Sequence, residues 1–162
     1  MKIPVLFLLL MAMMASCKED RKYNPDTGYM IEAKHSGKHL TLSYNRPLQT
    51  ISDTTNAAFK WQVKTLADST VQIISLPTDE AIELTAVKDQ VLPYVTKPDS
   101  TEIRQHFKID RNDDGSVYLA SVYNAGYCID ISESDTADFP VITTWPKEDN
   151  PNQKWKLQAT GN

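Results

Sequence analysis

The sequence predicts an all-β fold made of three similar units that close around a common axis. Short apolar runs, rich in β-branched and aromatic residues, alternate with polar residues along the chain after residue 27. An aromatic residue closes each unit, since Trp61, Phe107 and Trp155 lie 46 and 48 residues apart. A period of this length is typical of folds built from repeated supersecondary units. No long window carries the apolar stripe of a helix.

The three units span residues 28–66, 70–110 and 116–158 and share one order of elements. Each begins with a strand, turns, continues with a second strand, crosses a long irregular stretch and ends with an aromatic-x-aliphatic triplet. Three such units closed around an axis leave no exposed strand edges, whereas one unit alone cannot bury its apolar face. The predicted core consists of the closing aromatics and one aliphatic residue from each second strand: Leu40, Ile82 and Ile129.

The strand signals follow one another along the chain, and turn residues separate them. Alternating apolar runs predict strands at 29–32, 39–42, 71–74, 81–84, 117–119 and 128–131. Turn-forming residues lie between them at 36–37, 77–79, 113–115 and 124–126. The stretch 110–115 also resembles the start of a calcium-binding loop. Ser121 stands where such a loop ends in glutamate and no helices flank the stretch, so we interpret it as a tight Asp-Gly hairpin.

Residues 1–16 have the pattern of a secretory signal and are not expected to belong to the folded domain. Lys2 forms a small positive region, an apolar run follows it, and small residues precede Cys17. The segment is too short and wrongly flanked for a transmembrane helix. It resembles a bacterial lipoprotein signal, with Met14 where that family usually has leucine. The resemblance implies lipidation of Cys17, and an ordinary signal peptide with an incidental cysteine is the alternative.

The residues after Cys17 predict a location on the cell surface. Lys18-Glu19-Asp20 is similar to the export signal of surface lipoproteins in Bacteroidetes, in which a lysine and acidic residues follow the lipidated cysteine. We expect an outer-membrane lipoprotein of a Gram-negative bacterium, and the periplasmic leaflet is the alternative. Residues 17–27 are then the lipidated cysteine and a polar tether, and residues 28–162 are the domain. Diacylglycerol and N-acyl (palmitate-type) chains together supply stable anchoring.

Charge and cysteine content narrow the possible partners. The chain of 162 residues has a formal net charge of −4 and no basic stripe, which argues against nucleic acid as a partner and against electrostatic docking to anionic lipid.

Cys128 is the one cysteine left beyond Cys17, so no disulfide can form within the domain and packing must stabilise it. We expect a monomer that meets the membrane through its lipid anchor.

The chain resembles the ricin B-type β-trefoil lectins. The resemblance is clearest in residues 116–157, where Gly-x-Cys-Ile-Asp-Ile, Ile-Thr-Thr-Trp and Asn-Gln-x-Trp stand in the family's order and spacing. Gln153-Lys154-Trp155 fits the repeating Gln-x-Trp motif of the family, and 105–107 fits it with phenylalanine in place of tryptophan. The resemblance implies a β-trefoil that binds carbohydrate, with galactose-like sugars as the family's usual ligands.

The resemblance also implies a sugar site in the third unit. Asp130 matches the family's carboxylate, Trp145 its aromatic platform, and Asn152 with Gln153 its amide pair, while Thr143 stands where the family often has glutamine. This set suits a sugar, because carboxylates and amides bond hydroxyl groups and an indole packs against the apolar C–H face. For Trp145, a buried position that caps the barrel is the alternative to an exposed platform.

The other two units are expected to have poorer sites. Thr41 stands where the first unit needs the carboxylate, and Ala57 and Ala58 precede its closing triplet, so that site is expected to be lost. The second unit has Glu83, which is one methylene longer, with Tyr94 as an out-of-register platform. Cys128 matches a family cysteine whose partner is missing here, so we expect a buried small apolar residue.

The favoured function is therefore a carbohydrate-binding module of a cell-envelope lipoprotein, with a glycan or glycoprotein as partner. A trefoil that binds protein, as an envelope module or a protease inhibitor, is the alternative, and Thr41, Glu83 and Thr143 favour it. A hydrolase would need two carboxylates in one cleft. The sequence contains no motif of nucleophilic or zinc-dependent catalysis, and we expect neither an enzyme nor a bound metal or cofactor.

Overall fold

The structure, a computed structural model, describes residues 23–24, 27–43, 46–52 and 59–160, and within 46–50 only the backbone. The predicted signal peptide (1–16), Cys17, most of the tether and the two alanines at 57–58 lie outside the described residues. No helix in the described part of the chain is long and apolar enough to cross a bilayer.

The described residues form twelve strands, four in each predicted unit. The first repeat contains β1 (Gly28–Ala33), β2 (His39–Ser43), β3 (Arg46–Ile51) and β4 (Trp61–Thr65). The second contains β5 (Val71–Ser75), β6 (Glu80–Val87), β7 (Gln90–Thr96) and β8 (Phe107–Arg111). The third contains β9 (Val117–Ser121), β10 (Tyr127–Ile131), β11 (Ile142–Pro146) and β12 (Trp155–Ala159).

The third strand of each repeat corrects one prediction. The stretch expected to be irregular contains β3, β7 or β11, each paired with the strand before it. The expectation was wrong because each of these strands contains a proline, at 47, 93 or 146, which interrupts the alternating pattern. Proline is tolerated there because these are the outer strands of hairpins, where a missing N–H does not break a ladder on both sides.

The first and fourth strands of the repeats form a closed barrel. The antiparallel pairs β1–β4, β4–β5, β5–β8, β8–β9, β9–β12 and β12–β1 complete the ring. The second and third strands form three hairpins, β2–β3, β6–β7 and β10–β11. This architecture is a β-trefoil, so the predicted fold is confirmed. The predicted Asp-Gly hairpin is also present, between β8 and β9, where the Asn112 N–H donates to the Ser116 carbonyl at 2.8 Å.

The register of the barrel is threefold symmetric. Each closing aromatic lies opposite the last residue of the next repeat's first strand, as the three pairs show: Trp61–Ser75, Phe107–Ser121 and Trp155–Ala33. This register gives each residue of one repeat a defined counterpart in the other two. It places Thr41, Glu83 and Asp130 at equivalent positions, one residue after the predicted core aliphatics.

The core contains the residues predicted for it. The three closing aromatics and Leu40, Ile82 and Ile129 are all completely buried. The two closing tryptophans also make equivalent hydrogen bonds. The Trp61 indole N–H donates to the Leu40 carbonyl at 3.0 Å, and the Trp155 indole N–H donates to the Ile129 carbonyl at 3.4 Å. These bonds tie each hairpin to the barrel and satisfy the polar edge of a buried indole.

Candidate functional site

The β10–β11 hairpin places the predicted site residues on one face. Asp130 lies opposite Thr143, and Cys128 lies opposite Trp145. Successive side chains of a strand point to opposite faces, so these four share one face of the hairpin while Ile129 faces the core from the other. Four residues spread over positions 128–145 of the sequence thus form one patch across two strands.

Asp130 is the centre of this patch. Its carboxylate is almost completely buried, with 5% of the residue exposed. Oδ2 accepts hydrogen bonds from Asn152 Nδ2 at 3.1 Å and from Gln153 Nε2 at 2.9 Å. Both amides come from the short 3₁₀ turn Pro151–Gln153, which Lys154 joins to β12. The chain thus brings three predicted site residues into direct contact.

Asn152 and Gln153 also bind the backbone around the carboxylate. Asn152 Nδ2 donates to the Ile131 carbonyl at 2.8 Å, and Gln153 Nε2 donates to the Pro146 carbonyl at 2.9 Å. Gln153 Oε1 accepts the Glu148 N–H at 2.8 Å. Since both hydrogens of each amide nitrogen are used within the protein, these side chains orient Asp130 and the ends of β10 and β11. Gln153 therefore ties the loop around Glu148 and the end of β11 to the carboxylate.

The environment of Asp130 changes its ionisation. Burial raises the pKa of its carboxyl group, because the charged form loses hydration. The two amide hydrogen bonds oppose this shift, and the negative charge of Glu148 adds to it. Oδ2 is engaged by the two amides, and no bond from a described residue to Oδ1 is present. Asp130 therefore has acceptor capacity left for a hydroxyl group.

Trp145 is exposed, with 55% of the residue accessible to solvent. The alternative in which it caps the barrel is therefore wrong. Thr143, the second residue of β11, is half-buried, and its hydroxyl group donates weakly to the Thr144 carbonyl at 3.4 Å. An exposed indole beside a buried, oriented carboxylate is an arrangement that offers an apolar surface and hydrogen-bond acceptors to the same ligand.

Cys128 is completely buried, as expected for a small apolar residue. Burial raises the pKa of its thiol to about 12, so the thiol is protonated at neutral pH. The thiolate is the reactive form of cysteine, so this thiol is a weak nucleophile at neutral pH.

We call the hydrogen-bonded pair of Asp130 and Gln153 the polar frame of the third repeat. The second repeat has an equivalent pair, Glu83 and Gln105. Gln105 Nε2 donates to Glu83 Oε2 at 3.0 Å and to the Lys97 carbonyl at 3.1 Å. Gln105 Oε1 accepts the Asp99 N–H at 2.9 Å. These three bonds correspond one by one to those of Gln153 in the third repeat. The sequence signal that finds this frame is the Gln-x-aromatic triplet at 105–107.

The rest of the second site is different. Arg104 takes the position of Asn152, and its Nη2 lies 3.1 Å from Glu83 Oε1 and 2.8 Å from Glu102 Oε2. Thr96 takes the position of Trp145, while Tyr94 lies opposite Glu83 and is out of register as a platform. The Arg104 guanidinium therefore covers the Glu83 carboxylate, which no described residue does to Asp130 Oδ1. This ion pair was not predicted from the sequence, in which the arginine directly before Gln105 is its one signal.

The first repeat has lost the frame altogether. Thr41 replaces the carboxylate, and Phe59 occupies the position of Gln153. Phe59 is 3% exposed and packs edge-on against the His39 ring, with 6.5 Å between ring centroids. An apolar contact thus replaces the polar frame.

A further support of the third site comes from the first repeat. The loop between β10 and β11 lies against the turn between β1 and β2. His35 Nε2 donates to the Asp135 carbonyl at 2.9 Å, and Lys38 Nζ lies 2.9 Å from Asp138 Oδ1. These contacts join the first repeat to the third and hold the β10–β11 loop, which separates Asp130 from Trp145 in the sequence. They link residues about a hundred positions apart and have no local sequence signal.

Comparison with known proteins gives one match to a family model. The model described as a ricin-type β-trefoil lectin domain-like family matches residues 94–162, which include the whole third repeat and the end of the second. No curated protein sequence matches the chain.

Solved structures share the fold across the described domain. A designed threefold-symmetric protein, ThreeFoil, superimposes with a TM-score of 0.74 at 18% identity, covering 81% of this chain and 97% of its own. A ricin B-like lectin from Macrolepiota procera in complex with lactose gives 0.70 at 14%, covering 85% and 98%.

An exo-β-1,3-galactanase from Clostridium thermocellum gives a TM-score of 0.74 at 24% identity, covering 86% of this chain. This chain matches only 32% of the length of that enzyme, so the likeness concerns one part of it. The resemblance seen in the sequence is therefore confirmed for residues 94–162, which match the ricin-type β-trefoil lectin domain-like model, and the solved structures share the β-trefoil fold of the whole described domain.

Proposed function

We propose that this domain is a carbohydrate-binding module that binds one sugar residue of a glycan or glycoprotein in its third repeat. The observation that carries the proposal is the Asp130 carboxylate, buried and oriented by Asn152 and Gln153, beside the exposed Trp145. The hydroxyl groups of a sugar donate to the carboxylate through charge-assisted bonds, and its C–H face packs on the indole.

A galactose-like sugar is the proposed ligand class. The lectin from Macrolepiota procera was solved with lactose, and the galactanase is named for galactan, a galactose polymer. Both share the fold of this chain at low identity, so the ligand is an inference from resemblance. Glu148, the carboxylate that acts on Asp130, lies in the loop whose backbone Gln153 binds, and we propose a binding module and not an enzyme.

We also propose that the module is a lipoprotein of the outer membrane, anchored through Cys17 and exposed at the cell surface. Support comes from the sequence pattern of residues 1–20. Anchored copies would be concentrated on one surface, so weak single sites would bind a multivalent glycan with avidity. Incorporation of labelled palmitate into the protein, absent from a Cys17→Ser variant, is the expected result. Equal labelling of the two proteins would contradict the anchor.

Trp145→Ala is expected to weaken glycan binding by about tenfold or more, because it removes the surface on which the sugar packs. Binding is measured on a glycan array and then by titration calorimetry with the best glycan. Tyr123→Ala is the matched control, since Tyr123 is an exposed aromatic residue (44%) beside the second repeat's Arg104. Binding that survives in Trp145→Ala, or the absence of any glycan ligand for the parent protein, would rule out the assigned function.

A further inference from the structure

A row of exposed side chains continues from the proposed sugar site along β11. Val141 lies directly before this strand, and its carbonyl accepts the Ser132 N–H at 2.9 Å, so the ladder with β10 extends to it. By strand alternation, Val141, Thr143 and Trp145 face the same side as Asp130. Val141 is 64% exposed, more than any other large apolar residue whose burial the structure describes.

Phe139 adds a second exposed aromatic ring next to this row. It is 52% exposed and has a φ of 61°, a left-handed conformation that is uncommon for a bulky residue. The loop that holds it is anchored, since Asp138 pairs with Lys38 at 2.9 Å and accepts from the Ser52 hydroxyl at 3.3 Å. Pro140, the next residue, is buried. An ordered loop therefore holds an apolar ring in solvent, at the cost of an unfavourable backbone conformation.

The spacing of these groups exceeds the size of one sugar. Four residues of extended strand separate Val141 from Trp145, which is about 13 Å at 3.3 Å per residue. A single pyranose ring that contacts both Asp130 and Trp145 does not reach Val141. An oligosaccharide does, because each of its residues offers another C–H face of the kind that packs on apolar side chains.

The charges around the row select against acidic glycans. Glu133 and Asp135 are exposed in the loop between the strands, and Glu148 acts on Asp130 from the other side. The nearby cation Lys38 is already paired with Asp138. An added carboxylate or sulfate on the ligand would meet the like charges of Glu133, Asp135 and Glu148.

We propose that the site of the third repeat is extended and binds an uncharged oligosaccharide, with one sugar at Asp130 and Trp145 and following sugars on Val141 and Phe139. This inference rests on the proposed function and specifies its ligand class. The extension explains why apolar side chains remain exposed in an otherwise polar loop.

Titration calorimetry with galactose and with an uncharged galactotetraose tests the extension. We expect the parent protein to bind the tetrasaccharide more tightly than galactose. Val141→Ser and Phe139→Ser are each expected to weaken tetrasaccharide binding about tenfold and to leave galactose binding unchanged, because they remove apolar contact area outside the first sugar. Both side chains are exposed, so the variants are expected to fold. Leu76→Ser is the control, since it removes another exposed aliphatic residue (46%) in the second repeat.

The outcomes separate the extension from the proposed function. Equal affinity of the parent for galactose and for the tetrasaccharide overturns the extension and leaves the first site intact. The extension is also overturned if Val141→Ser and Phe139→Ser bind the tetrasaccharide as tightly as the parent protein does. Failure of both sugars to bind overturns the proposed function itself. A tetragalacturonate that binds as tightly as the neutral tetrasaccharide would contradict the charge selection.

Discussion

Replacement of Trp155 by alanine is expected to lower the free energy of unfolding by about 3–5 kcal/mol. Trp155 is completely buried, closes the third repeat and lies opposite Ala33 where β12 joins β1 and the barrel closes. Its removal leaves a large cavity at this seam and deprives the Ile129 carbonyl of its indole donor. Urea unfolding followed by circular dichroism measures the change.

Trp145→Ala is the matched control for this experiment. The same side chain is removed from the same repeat, but Trp145 is exposed, so we expect the free energy of unfolding to change by less than about 0.5 kcal/mol. A loss of stability in Trp145→Ala as large as in Trp155→Ala would show that the two tryptophans do not have the separate structural and binding roles assigned to them.

Asp130→Ala is expected to lower the affinity for sugar roughly a hundredfold or more, because the charge-assisted bonds to the sugar hydroxyls are lost. Titration calorimetry measures this loss. Glu83→Gln is the matched control, since Glu83 has the equivalent position in the second repeat but is covered by Arg104. We expect its sugar affinity to match that of the parent. If Glu83→Gln lowers the sugar affinity and Asp130→Ala does not, the sugar site lies in the second repeat.

The raised pKa of Asp130 gives the binding a defined pH dependence. In the proposed function the ionised carboxylate accepts the sugar hydroxyl groups, so the affinity is expected to fall as the pH drops through a pKa above that of an ordinary aspartate. The contribution of Asp130 to folding stability depends on pH in the opposite direction. The folded protein disfavours the ionised form of this buried group, so the contribution of Asp130 to stability improves as the pH falls through its raised pKa.

The loss of binding should therefore precede acid unfolding. Asp114 and Asp138 are stabilised in their ionised forms, chiefly by hydrogen bonds from Lys34 and Lys38, and their pKa values are lowered. Their contributions to stability disappear only as the pH falls below the ordinary aspartate range toward the folded pKa values. Affinity that stays constant until the protein unfolds would contradict the role of Asp130.

The barrel and its core could be predicted from the sequence because they repeat. The closing aromatics recur at a nearly constant period, and their register across the barrel is the same at all three seams. The third strands could not be predicted, because each contains a proline and pairs on one side with its hairpin partner. Pairing with a neighbouring strand, and not local propensity, gives these segments their structure.

The composition of the candidate site was predictable, but its internal bonding was not. The order of the four site residues along the chain is recognisable: Asp130, Trp145, Asn152 and Gln153. The bonds by which Gln153 orients Asp130 form only because the 3₁₀ turn that follows β11 packs against the end of β10. The Arg104–Glu83 pair joins residues of two elements that are distant in sequence. The support from His35 requires the first repeat to meet the third, which only the closed barrel brings about.

The most direct test of the sugar site is a titration of the isotope-labelled protein with lactose, followed by the indole N–H signals of its tryptophans. Trp61 and Trp155 donate to carbonyls in the core, and Trp145 is exposed at the site. The proposed function predicts that the Trp145 signal shifts with added sugar while the signals of Trp61 and Trp155 remain in place. Saturable sugar binding that leaves the Trp145 signal unmoved would contradict a site in the third repeat.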